Sequence, residues 1–145
     1  MATGTNLLDA IYKIRQGENR AVALKIIDRI TGSMIGQADI ANIHYTIVKR
    51  AKLMSVQTTL PPDEIVEGHH NVEIPISAIR DNPTTDPIDN VVYNFIFIIP
   101  CLDDDNHDIT PFTECGATYD VMIRFVPVVG GGKNAVVKTI RIEVE

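Results

Sequence analysis

The 145-residue chain has no tryptophan and only four phenylalanines and four tyrosines, so its core must be filled mainly by aliphatic and β-branched side chains. Basic residues are also scarce. Thirteen Lys and Arg against nineteen Asp and Glu leave a net charge of −6, which argues against nucleic acid as a partner, because phosphate binding needs clustered cations. The one dense basic patch, Lys49-Arg50-Ala51-Lys52, reads as a solvated strand end. No run approaches the ~18 consecutive apolar residues of a membrane span, so no membrane partner is expected. Met1 to Arg20 lacks the basic start and apolar centre of a signal peptide, which points to synthesis and folding in a cytoplasm. Cys101 and Cys115 are the only cysteines. They flank a polar loop and could clasp its base, but in a cytoplasmic product reduced, packed thiols are the expectation.

Catalytic signatures are missing as well. There is no Gly-x-Ser-x-Gly elbow, and Gly130-Gly131-Gly132 lacks the Lys-Ser/Thr and helix of a phosphate-binding loop. His44, His69, His70 and His107 have no zinc spacing, and no Cys-x-x-Cys pair joins them. Ser33, Ser55 and Ser77 have no recognisable partner for nucleophilic chemistry. A non-enzymatic protein without a cofactor is the expectation, with a small hydrolase as a remote competitor.

What is present is strand periodicity. Tyr93, Phe95, Phe97 and Ile99 alternate along one segment, Tyr119, Val121, Ile123 and Phe125 along a second, and Val136, Ile140, Ile142 and Val144 along a third. A period of two lets each segment bury one face and wet the other. The Gly130–Gly132 run between the last two supplies a hairpin turn. Upstream, Val22, Leu24 and Ile26 alternate, as do Ile43, Tyr45 and Ile47, and these two segments look like the first paired strands. Val72, Ile74 and Ile76 suggest another strand, which Pro75 places at an edge. Asp81 to Asn90, rich in Pro, Asn and Asp, reads as a loop.

At the start, Asn6 can cap a short helix on which Leu7, Ile11 and Ile14 fall on one face, with Gly17 as a stop. A helix of about ten residues is unstable alone, so it must pack on its own domain or on a neighbouring subunit, and this apolar stripe is expected to serve as an interface. The division is then an N-terminal arm with a short helix over residues 1–20 and one β-sandwich domain over 21–145.

The stretch Glu114-Cys115-Gly116-Ala117-Thr118-Tyr119-Asp120-Val121 resembles the pattern before the penultimate strand of immunoglobulin-like domains, where a Tyr forms a corner. One extra residue separates Gly116 from Tyr119, and Val121 stands where antibody domains carry a disulfide Cys. The fold class expected is therefore all-β, a single immunoglobulin-like β-sandwich with a short N-terminal helix or arm. The whole chain is also similar to phage-type immunoglobulin-like modules. The likeness lies in Leu24-Lys25-Ile26-Ile27-Asp28 leading into Thr31-Gly32, in Ala38 to Ile47, in Gly116 to Phe125 and in the Gly-rich final hairpin. That resemblance implies a virion structural protein of a tailed bacteriophage, decorating or cementing the capsid, or a neck or tail accessory. It also implies other virion proteins as partners, homo-oligomeric assembly and no catalytic residues.

The acidic run Asp103-Asp104-Asp105-Asn106-His107-Asp108 offers a rival. Asp103, Asp105 and Glu114 fall at positions one, three and twelve of a calcium-loop template. His107 occupies position five, Asp108 replaces the required glycine at six, and the flanks predict strands. Solvated charge is therefore the expectation, and an immunoglobulin-like module binding calcium or carbohydrate through this loop is the alternative.

Overall fold

The computed structural model describes residues 9–18, 20–28, 30–51, 63–85, 92–131 and 135–145. Alternating apolar residues organise these into strands β1 (Ala10–Ile14), β2 (Ala21–Leu24), β3 (Ile40–Lys49), β4 (Glu64–Ile65), β5 (Val72–Ile74), β6 (Ile79–Thr85), β7 (Val92–Ile98), β8 (Thr118–Pro127) and β9 (Val136–Val144). The larger sheet runs β1-β9-β8-β3-β4, with β5 also paired to β3, and the smaller runs β2-β7-β6. Two sheets packed face to face make a β-sandwich. The second, sixth and seventh strands lie opposite a sheet centred on the third, eighth and ninth. Among the described residues no helix is long and apolar enough to cross a membrane.

β8 lies between β9 and β3, antiparallel to both. Its inward residues Tyr119, Val121, Ile123 and Phe125 are buried together with Phe95, Ile140 and Ile142, and Phe97 packs against them. Across the sandwich the Phe95 and Phe125 rings meet edge to face, with centroids 5.0 Å apart, the arrangement that ring quadrupoles favour. At one end Phe112, from the loop before β8, closes the core against the Tyr119 ring. The β8–β9 turn passes through Gly130 at φ +79°, within the glycine run expected to supply it.

Four expectations are corrected. The N-terminal helix is absent from the described residues, because Ala10–Ile14 is a strand parallel to β9. The same sequence also carries a period of two. Ala10, Tyr12 and Ile14 face the core opposite Ile140, Ile142 and Val144, while Ile11 and Lys13 face out. Completing the open edge of β9 gives this segment a full backbone ladder, which a short isolated helix cannot match. Next, β2 pairs with β7 and β3 with β8, so the first two strands lie in opposite sheets. Residues 81–85 belong to β6, where Pro83 is accommodated because the strand is an edge and its register shifts between Ile79 and Thr84. Finally, β5 ends at Ile74, and Ile76 enters a 3-10 turn.

Candidate functional site

Of the expected interface residues, Leu7 lies outside the described residues, Ile14 is in the core and Ile11 is exposed on the outer face of the larger sheet. Ile11 and Ile14 do not share a face.

The acidic loop is a small, well-bonded hairpin. The Ile109 N–H donates to the Cys101 carbonyl at 2.8 Å, and the Asp103 N–H donates to that of His107 at 3.0 Å. Asn106 takes the left-handed conformation that closes the turn, φ +61°. One Asp103 carboxylate oxygen accepts the N–H groups of both Asp105, at 2.9 Å, and His107, at 2.8 Å, while the other lies 3.3 Å from the His107 ring. Asp108 accepts from the Thr110 N–H and hydroxyl, which holds its carboxyl below the usual range. These acids are turn formers. Asp103, Asp105 and His107 have ligand atoms within 4.8 Å of one another, but Glu114 is not in that group. It forms an ion pair with Lys49 at 2.7 Å, and the hydrogen bond raises the Lys49 pKa. The donor set does not fit the calcium template.

The cysteines do not clasp this loop. Both are free, and Cys115 is exposed, its thiol 3.2 Å from Gln16 Oε1, instead of packed. What fastens the loop is His69, which no sequence signal marked. Its Nε2 meets the Ile109 carbonyl oxygen, which can only accept, so Nε2 carries the proton and Nδ1 accepts from the Tyr45 hydroxyl at 2.7 Å. Burial holds this imidazole below its usual pKa, against a smaller upward push from the Ile109 bond, and burial raises that of Tyr45. Gly68 must precede it. The backbone there has φ +84°, and a Cβ would come within 2.7 Å of Ile109 Cγ2.

A second network lies on the outer face of the larger sheet. Asp120, almost fully buried, receives Arg141 through two bonds of 2.9 and 3.2 Å and lies 3.6 Å from Arg50. Arg50 continues to Asp63 at 2.9 Å. In the patch expected to be a solvated strand end, Lys49 ends β3, and Lys49 and Arg50 keep partly exposed side chains that each form an ion pair; Lys52 lies outside the described residues. In the smaller sheet, buried Asn94 accepts from the Ile26 N–H and donates to the carbonyls of Ile26 and Ile35, replacing ladder bonds where β2 has ended. Each of these polar groups holds the architecture together.

Further along the same outer face is an open groove of about 520 Å³, lined by His44, Thr46, Asn71, Met122, Arg124, Val126 and Val137. Cross-strand pairing places His44 and Val137 on either side of Arg124, and Thr46 beside Met122. Met122 is 37% and Val137 56% exposed. Arg124 is exposed and forms no ion pair with any described residue. Here alternation puts apolar side chains where a sheet with one wet face would carry polar ones, a departure readable in the sequence at Met122, Val126 and Val137. No family model, curated protein or solved structure matches this chain.

Proposed function

We propose that the chain is a non-enzymatic structural module that works by burying its surfaces against neighbouring subunits. The observation that carries this reading is the apolar groove on the outer face of the larger sheet, with an Arg124 that forms no ion pair with any described residue. The reactive side chains inside the domain, His69, Asn94 and Asp120, are engaged in bonds between strands and loops. A sandwich cross-braced in this way is rigid, so little conformational entropy is lost when it docks. The sequence resemblance narrows the setting to the virion of a tailed bacteriophage, as a decorating or cementing protein on the capsid or an accessory of the neck or tail. Its partners are then other virion proteins and copies of itself.

Mass spectrometry of gradient-purified particles from cells making the chain tests this directly. The chain should be present in multiple copies per particle. Recovery only from the particle-free lysate would overturn the virion assignment.

A further inference from the structure

If the chain works through subunit contacts, the groove must have an occupant, and its chemistry narrows the choice. The walls offer apolar contact at Met122, Val126 and Val137, and Arg124 offers a guanidinium with no carboxylate of a described residue on it. The two other arginines described above on this face, Arg50 and Arg141, already serve Asp63 and Asp120. An occupant should therefore present an apolar side chain close to uncompensated carboxylates. Leu102 is 54% exposed, and two and three residues on come Asp104 and Asp105, both exposed. Unlike Asp103 and Asp108, neither spends its carboxylate on a turn bond among the described residues.

Geometry excludes a molecule filling its own groove. The loop lies beside Lys49 and Tyr119, at the beginning of β8, whereas the groove spans Met122 to Val126. Five residues of strand from Tyr119 to Arg124 cover about 17 Å at ~3.3 Å each, and His69 and Phe112 tether the loop at its own end. A two-fold contact of groove on groove is disfavoured too, since it would bring Arg124 against the partner's Arg124.

We propose that the groove receives the Leu102–Asp108 loop of a second copy, so that copies join head to tail. Donor and acceptor surfaces differ and lie at opposite ends of β8, so the contact is heterologous and each molecule keeps one free end of each kind. Such a contact propagates into a ring or an open row, which suits a protein that covers a larger surface. Electrostatics contributes to it, so it weakens as salt rises.

Sedimentation velocity over a concentration series at low and high salt tests this, using wild type, R124E, and the double variant D104K/D105K. All the substituted residues are exposed, and unchanged circular dichroism will establish that the variants fold; Arg124→Gln replaces R124E if it does not. Wild type should associate as concentration rises, less at high salt. Each variant should associate about tenfold more weakly or worse, because like charges then face each other. Mixing the two variants should restore association, since the intact acidic loop of one fits the intact groove of the other. A wild type that stays monomeric, or association unaffected by either variant, overturns this contact. The broader structural reading is judged separately, by whether the chain is found in particles.

Discussion

Replacing Phe125 by Ala removes a fully buried aromatic side chain from β8, where it is flanked by β3 and β9 and meets Phe95 edge to face. Phe-to-Ala changes in cores cost about 3–5 kcal/mol, the spread depending on how far the site collapses. Collapse is limited here because the strands on either side are tied to β8 by ladders along its length. The loss also includes an aromatic pair worth roughly 0.5–1.5 kcal/mol beyond its buried area, so a value near 4 kcal/mol is expected. With a urea m-value of about 2 kcal/mol per molar, the unfolding midpoint should fall by about 2 M. Far-UV circular dichroism can follow this, since the chain has no Trp for fluorescence. Val137→Ala, on the exposed face of the neighbouring strand, should stay within about 0.5 kcal/mol of wild type. An unchanged midpoint for Phe125→Ala would mean that β8 buries its other face, and the sandwich as described would be wrong.

Ile14→Ala should cost about 2–5 kcal/mol and Ile11→Ala almost nothing in the same urea assay, because as strand residues they face opposite sides; equal costs would restore the helix. His69 makes stability pH-dependent. Its folded pKa lies below the ordinary value of 6.5, so the unfolded state binds more protons, and stability should fall as pH drops from about that value through the folded pKa. His69→Gln should flatten that part of the profile, and an unaltered slope would show that the imidazole is not the group responsible. Millimolar calcium should leave the melting temperature unchanged for wild type and Asp105→Asn alike, whereas a rise of several degrees that Asp105→Asn abolishes would establish a metal site.

The long strands were legible because each buries a single face, and Tyr119 to Phe125 or Ile140 to Val144 state that face at every second residue. Ala10–Ile14 misled because Leu7, Ile11 and Ile14 have the spacing of one helical face while Ala10, Tyr12 and Ile14 have that of one strand face, and only the open edge of β9, a non-local fact, decides between them. The same holds for β2, whose true partner β7 lies some seventy residues away in sequence. Asn94 was hidden for a related reason. By alternation it belongs on the wet face, but the segment around Ile26 and Ile35 folds over it and uses its amide. The acidic loop was visible as composition, yet composition could not distinguish carboxylates that bind an ion from those that cap backbone N–H groups. His69 carried no signal because its role depends on Tyr45 and Ile109, which come from two distant segments.

The claim that the outer face of the larger sheet is the working surface is tested most directly by hydroxyl-radical footprinting of the chain, free and assembled. Met122 lies in the groove and Ile98 on the outer face of the smaller sheet, and both are exposed in the isolated chain. Assembly should slow oxidation of Met122 several-fold, together with Leu102, and leave Ile98 unchanged. Protection of Ile98 with Met122 still oxidised at its free rate would place the working surface on the opposite sheet and contradict the account.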